Sequence, residues 1–240
     1  MKKFALITGA SGGIGKEIAL SLAKDGWNIY LHYHQNRNEI EVLMRSLQPF
    51  SLEIIPIQAD LSSDEGVQKL VSNIFSIDAI VFSSGQAVYG LFQDLSEMEL
   101  DQLWEVHVKN PIKIVQKLLP KFYRLGHGNI VFISSIWGQT GAACEVMYST
   151  VKGAQLSFVK SLAKETARSG IRINAVAPGA VETHMMSRFS QDELELLTEE
   201  IPIGRLAKPY EIANVVSFLL SEKSSYITGQ ILSVNGGWYT

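Results

Sequence analysis

Cysteine is almost absent: Cys144 is the single one in 240 residues. That excludes an internal disulfide framework and a cysteine-built zinc cluster, so no metal site is expected and a reducing compartment fits. Basic excess is missing as well. Lysine and arginine number 21 against 24 acids, a formal net charge of −3. No overall field draws nucleic acid or an anionic membrane to the chain. Long hydrophobic runs are also lacking. The apolar stretch after Met1-Lys2-Lys3 ends at Thr8-Gly9, too short for a bilayer span, and no small-residue cleavage site follows it. There is no internal repeat, low-complexity tract or interdomain linker. The expectation is a soluble, cytoplasmic protein with neither nucleic acid nor membrane as partner.

What is present reads as an ordinary globular chain. Hydrophobic residues make up 46% and charged residues 19%, a balance that favours a packed core over disorder. The length suits one domain over residues 1–240. Apolar runs at Phe4–Ile7, Asn28–Tyr33, Glu53–Gln58, Ile77–Phe82, Asn129–Ile133 and Ile171–Ala177 read as strands. Between the first two, Ile14, Ile18 and Leu22 recur at helical spacing up to Asp25-Gly26. A second helix is read around Glu39–Leu47. Continuous apolar strands separated by helices predict an α/β fold: a single doubly wound parallel β-sheet of Rossmann type, flanked by helices on both faces. Pro56 predicts an edge position for its strand. The polar segment 182–202 breaks the alternation and is either a helical substrate flap or a plain surface excursion.

Thr8-Gly9-Ala10-Ser11-Gly12-Gly13-Ile14-Gly15 stands between the first strand and the first helix. Glycines let a phosphate approach the main chain, and the helix N-terminus offers free N–H groups and partial positive charge. The bland alternative is a tight glycine turn without ligand. Further along, Tyr148 and Lys152 lie four apart in a helical stretch and so share a face. A tyrosine hydroxyl, with a free pKa of about 10, can protonate an alkoxide but is a poor reversible base near neutrality. A nearby ammonium favours the phenolate; a shift of about three units takes roughly 4 kcal/mol. Lys152 is the residue on that face able to supply it. Tyr148 alone would more often be a packed helix tyrosine.

The wide glycine spacing, Gly9, Gly13 and Gly15, resembles the short-chain dehydrogenase/reductase family. So do Asp60 after the third strand, Tyr148-Ser149-Thr150-Val151-Lys152, and Asn174-Ala175-Val176-Ala177-Pro178-Gly179. The likeness continues through Ile201–Leu206, Pro209 with Glu211, Ile227–Gln230 and Val234–Gly237. That C-terminal set is most similar to 3-oxoacyl-(acyl-carrier-protein) reductases. The resemblance implies reduction of a carbonyl substrate, free or carrier-bound, with Tyr148 as proton donor and Ser135 as the serine that steadies the carbonyl oxygen; Ser134 is its neighbour and competitor for that role. It implies that Lys152 also holds the nicotinamide ribose. It implies a cofactor cradle of Gly9, Ser11, Gly12, Gly13, Ile14, Gly15, Asp60, Leu61, Ser84, Gly85, Tyr148, Lys152, Pro178, Gly179, Val181 and Thr183. It also implies a homotetramer or homodimer, with acyl carrier protein as a partner. The two arginine positions expected for that carrier hold Gly126 and Ser169, with Arg124 and Arg168 close by.

NAD-preferring relatives place an acid at the end of the second strand. Here that strand runs Leu31-His32-Tyr33-His34, with Arg37 beyond, so His34, Asn36 and Arg37 are candidates for a 2′-phosphate. NADP(H) is expected in preference to NAD(H), although Gly12 stands where many relatives carry a base. Two departures stand out. Phe82-Ser83-Ser84-Gly85 replaces Asn-Asn-Ala-Gly, which predicts weaker locking of adenosine and of neighbouring strands, while Gly85 is expected to let the cofactor come close. Val106-His107-Val108-Lys109-Asn110-Pro111 puts His107 at the position of the family's catalytic asparagine, either as a proton relay or as a packing residue; a protonated His107 would oppose Lys152. Trp137, Ala142, Cys144, Val146, Met147, Met185, Met186 and Phe189 are candidates for an apolar pocket, or for core and subunit contacts. Cys144 reads as a small buried residue, not a nucleophile. The alternatives to a 3-oxoacyl reductase are an oxidoreductase for another alcohol or ketone, and a non-catalytic NADP-binding sensor or scaffold.

Overall fold

Seven largely apolar segments pair side by side, the five inner ones buried on both faces and the two edge strands only partly. The computed structural model describes residues 3–240; Met1 and Lys2, within the stretch read for a leader, lie outside the described residues. The strands are β1 (Phe4–Thr8), β2 (Asn28–Tyr33), β3 (Ile54–Gln58), β4 (Ala79–Phe82), β5 (Gly128–Ile133), β6 (Ile171–Pro178) and β7 (Ile231–Val234). All pair in parallel, in the order β3-β2-β1-β4-β5-β6-β7. The order reverses between β1 and β4, and such a switch point opens a crevice at the carboxyl ends of the strands. The expected edge strand is found: β3 is outermost, with Pro56 opposite Leu31.

The helices are α1 (Gly13–Lys24), α2 (Arg37–Leu47), α3 (Asp64–Ser72), α4 (Glu97–Trp104), α5 (Asn110–Leu125), α6 (Trp137–Thr140), α7 (Val146–Thr166), α8 (Gln191–Glu200) and α9 (Pro209–Leu220). Two large apolar cores form, one on each face of the sheet. One holds Ile18 and Leu22 of α1, Leu43 of α2 and Val216 of α9 against β1 and β2. The other holds Leu70 of α3, Leu118 and Phe122 of α5 and Val159 of α7 against β4, β5 and β6. Full burial of such side chains contributes about 1.5–3 kcal/mol each before entropy is counted. Most element bounds agree with the sequence reading to within two residues. The reading had no strand at Ile231–Val234, because four residues between glycines carry too little periodicity to mark one.

One irregularity positions the site. Between α4 and α5 the backbone makes a π-turn at Glu105–Lys109. The capping box of Ser96 and Glu99 fixes where α4 starts, and Pro111 sits in the first turn of α5. The extra residue of a π-turn re-aims the side chains it carries, and such turns recur at functional sites. Here it buries His107 and Val108.

At Gly66, in the first turn of α3, a Cβ would meet the Asp60 carbonyl oxygen at 1.8 Å. Both partners are main chain, so neither can swing away. Gly66→Ala is expected to lower stability by at least about 1–3 kcal/mol, the usual cost of overpacking, read as a fall in the urea midpoint with an unchanged slope.

Candidate active site

The crevice begins at the end of β1. Gly9 has φ +69°, and a Cβ there would meet Ser84 Cα at 2.6 Å. A Cβ on Gly15 would meet the Gly9 carbonyl oxygen at 2.3 Å. These two positions need glycine because main chain crosses main chain. Gly12 is the N-cap of α1 and has no side chain to satisfy the first turn, which carries no acid either. Amides of Gly13, Ile14 and Gly15 are thus presented as an anion cradle. Gly13 packs against Thr183, whose Cγ2 would lie 2.9 Å from an added Cβ. Ser11 stands on the same loop, half-buried.

The serines after β4 overturn one expectation. Loss of the family's paired asparagines was expected to loosen adjacent strands. Instead the Ser83 hydroxyl donates to the Thr8 carbonyl at 2.5 Å and the Ser84 hydroxyl donates to Thr8 Oγ1 at 2.9 Å. The amides of both serines also donate to Thr8 Oγ1. Short hydroxyls suffice because β1 and β4 are direct neighbours. Gly85 has a further reason to be small: a Cβ there would meet His107 Cε1 at 2.5 Å. Gly85 is small to admit the imidazole.

At the far end, His34 and Arg37 are exposed, as expected for phosphate contacts. Neither stands alone, however. His34 Nε2 lies 3.8 Å from an Asp60 carboxylate oxygen, and Arg37 Nε donates to Glu41 at 2.9 Å. The second strand does end without an acid, but Asp60, after β3, and Glu41, one turn along α2 from Arg37, bring two carboxylates to the same place; the chain order conceals only the first. Asp60 is held below the usual carboxylate range: burial opposes this, but bonds from the Ser62 amide and hydroxyl and the nearby histidines prevail. Leu61 is buried, and its carbonyl accepts from Asn110 Nδ2.

Beyond the carboxyl ends of β4, β5 and β6 a cavity of about 690 Å³ opens. Ser135, Tyr148, Lys152 and His107 all line it, together with Ile14, Ser84, Gly85, Pro178, Gly179, Val181 and Thr183. Lys152 Nζ sits over the Tyr148 ring, 5.5 Å from its centroid, and donates to the Ile133 carbonyl at 2.8 Å. Burial alone lowers the Lys152 pKa to about 7. The two serines have separate tasks. Ser134 Oγ donates to the Lys152 carbonyl and ties β5 to α7, whereas Ser135 Oγ accepts from the Trp137 amide and faces the cavity.

His107 is 1% exposed and meets Tyr148 edge to face, with ring centroids 5.8 Å apart. Its Nε2 faces the Gln86 carbonyl at 2.8 Å, and the Gln86 amide lies 3.2 Å away. Burial first, and the Lys152 charge second, lower its pKa to about 3. The cationic form considered from sequence is therefore absent at neutral pH. Gln155, a residue sequence reasoning missed, donates to the His107 carbonyl at 2.8 Å across α7.

Trp137, Ala142, Met185, Met186 and Phe189 line the cavity as expected. Cys144, Val146 and Met147 do not. Val146 is exposed, and Met147 packs on Leu103 and Val108. Cys144 is half-buried at φ +59°, not the fully buried residue expected. Trp238, also missed, stacks edge to face on Trp137 with centroids 5.0 Å apart. The segment 182–202 folds as a short 3-10 turn at His184–Arg188 followed by α8, and Leu197 of α8 joins the wall. No group of histidines, cysteines and acids among the described residues could hold a metal ion, and no helix there is long and apolar enough to cross a membrane.

A family model described as enoyl-(acyl carrier protein) reductase matches residues 9–239. The "uncharacterized oxidoreductase YmfI" of Bacillus subtilis strain 168 is 56% identical over all of both chains. The chain belongs to the short-chain dehydrogenase/reductase family. Its relatives in that family include the 3-oxoacyl-(acyl-carrier-protein) reductase FabG of Staphylococcus epidermidis, strain ATCC 35984, 34% identical over the whole of both chains. Among solved structures, an actinorhodin polyketide ketoreductase variant with NADPH is 29% identical with a TM-score of 0.93, covering 99% of this chain and 97% of that one. As a short-chain dehydrogenase/reductase, the chain is an oxidoreductase dependent on a nicotinamide cofactor.

The buried lysine makes stability depend on pH. Unfolded, Lys152 titrates near 10.5; folded, at about 7. Between these values the unfolded chain holds a proton that the folded chain lacks, so this residue's contribution to stability rises as pH rises from about 7 to 10.5. Below that window the full cost of burying an ammonium is present. Lys152→Met is expected to be more stable than the parent at pH 6, by up to a few kcal/mol, with the gap shrinking toward pH 10; urea melts across this range measure it.

Proposed function

We propose that this chain reduces a carbonyl compound to the alcohol with NADP(H), and that its substrate is a 3-oxoacyl thioester. The observation that carries this reading is the meeting of Ser135, Tyr148 and Lys152 on one cavity that opens beside the uncapped N-terminus of α1. The similarity to FabG and the NADPH-containing ketoreductase supports it.

The residues fit the cofactor. The amides of Gly13, Ile14 and Gly15 would hold the pyrophosphate, Asp60 and Leu61 the adenine, and Lys152 the nicotinamide ribose. Ser84, Gly85, Pro178, Gly179, Val181 and Thr183 would line its path, and His34 with Arg37 would meet the 2′-phosphate. When bound, the reduced nicotinamide supplies the hydrogen and electron pair that the carbonyl carbon accepts. Ser135 donates a hydrogen bond to the carbonyl oxygen and steadies its growing charge. The Tyr148 hydroxyl gives its proton to that oxygen. Lys152, with a pKa of about 7, can return a proton to the tyrosine near neutrality and favours the phenolate while charged. His107 enters the relay as a neutral acceptor, not an acid: Nε2 faces the Gln86 carbonyl, which leaves the lone pair on the buried Nδ1. On this reading residues 1–240 form one domain, and 182–202 is the flap that closes over an apolar acyl chain along Met185, Met186 and Phe189. The working form is a homotetramer or homodimer, and acyl carrier protein docks through Arg124 and Arg168.

Tyr148→Phe is expected to cut turnover by about 10²–10⁴-fold, the span of general acid–base catalysis, whereas His107→Asn keeps or raises it. A panel of free and carrier-bound ketones, followed by NADPH absorbance, measures both; undiminished turnover in Tyr148→Phe defeats the mechanism. In the same assay NADPH should serve better than NADH. Replacing His34 and Arg37 together by alanine should narrow that preference by about tenfold or more, the worth of one or two charge-assisted hydrogen bonds.

A further inference from the structure

A histidine stands in the middle of the sheet where the mechanism has no use for it. His32 lies in β2, whose six residues are all buried, and is itself 2% exposed. A polar ring at such a place is costly unless both nitrogens are paired, and both are. The Gly9 amide donates to Nδ1 at 3.1 Å, and Nε2 lies 3.1 Å from the Ala59 carbonyl. Accepting at Nδ1 requires that the proton sit on Nε2, which then donates to Ala59, so the two bonds together select one tautomer. The backbone adds parallel ties: the Ala10 amide donates to the His32 carbonyl, and the Ala59 amide to the Tyr33 carbonyl. Burial keeps the ring uncharged, with a pKa of about 4 despite the bond to Ala59; His34 reinforces this and Asp60 opposes it.

The two ends of this spacer are not arbitrary. Gly9 opens the glycine loop, and Ala59 immediately precedes Asp60 and Leu61. We infer that His32 is a positioning residue for the dinucleotide: its neutral imidazole sets the distance between the glycine loop after β1 and the adenine-side loop after β3. This rests on the cofactor reading given above. On the opposite side, Thr8 is bonded to Ser83 and Ser84, so the loop is braced from both neighbouring strands. The Gly9 half of the brace matters more for binding. At φ +69° Gly9 donates through its amide to His32 and accepts through its carbonyl from the Gly12 amide, so its orientation sets the turn that delivers the amides of α1.

The two nitrogens can be tested separately. Asparagine places an oxygen at the same bond count from Cα as Nδ1, and glutamine places an amide nitrogen at the same count as Nε2. His32→Asn can accept from Gly9 but does not reach Ala59; His32→Gln does the reverse; His32→Leu does neither. NADPH dissociation constants should stay within about threefold of the parent for His32→Asn and rise about tenfold or more for His32→Gln and His32→Leu, the worth of one lost buried hydrogen bond. The ketone KM at saturating NADPH should stay unchanged in all three. Equal losses in the three variants, or losses that follow melting temperature instead of the Gly9 bond, overturn the inference. Nitrogen-15 NMR of histidines in the parent protein decides the tautomer even where variants fail to fold. A neutral ring with the proton on Nε2 from pH 6 to 8 is expected, and a proton on Nδ1 or a charged ring overturns the brace. Failure of the parent to bind either dinucleotide would instead remove the cofactor reading, leaving the NMR result to stand by itself.

Discussion

The close crossing of two main chains at the end of β1 governs this molecule. Gly9 runs against Ser84, and Gly15 runs against Gly9, at distances that leave no room for a Cβ. That contact brings the loop after β1, the first turn of α1 and the segment after β4 into one rigid corner. Because β1 and β4 straddle the reversal of strand order, the corner is also the floor of the crevice. The serine hydroxyls on Thr8 and the imidazole on Gly9 secure it from either side. Without the crossing, the amides of α1 would still exist, but they would not face the cavity that holds Tyr148.

Burial does most of the chemical tuning. Lys152 is shut away among β5 and α7, with its ammonium over an aromatic ring and one carbonyl bond. Desolvation brings its proton affinity down to the range in which an enzyme works. The same desolvation acts on His107 and removes its charge, so the two groups coexist without repulsion. A histidine in place of an amide next to a lysine is tolerable here only because the π-turn drives it fully inside.

Much of this was legible in the sequence. The parallel sheet announced itself through apolar runs of strand length, and Pro56 marked its edge. Ser135, Tyr148 and Lys152 were recognisable by spacing and resemblance, and they line one cavity. What could not be read was pairing across distant strands. Asp60 reaches His34 only in space, whereas Glu41 stands four residues from Arg37 on the same helix and was simply passed over. The Ser83 and Ser84 hydroxyls replace missing amides only because β1 lies alongside β4. Gln155, His32 and Trp238 were passed over for the same reason: each acts on a residue at least twenty-three positions away. His32 did leave a trace, as an imidazole inside a strand that is otherwise apolar and amide.

The Trp137–Trp238 contact gives the protein an optical property. Of four indoles in the chain, these two stand in the cavity wall and touch each other, while Trp27 is sealed in the core and Trp104 is partly in solvent. A molecule seated against that pair displaces solvent from it, so part of the intrinsic fluorescence would report occupancy of that wall. Reduced nicotinamide absorbs where indole emits, which turns the same pair into an energy donor sited at the reaction chamber.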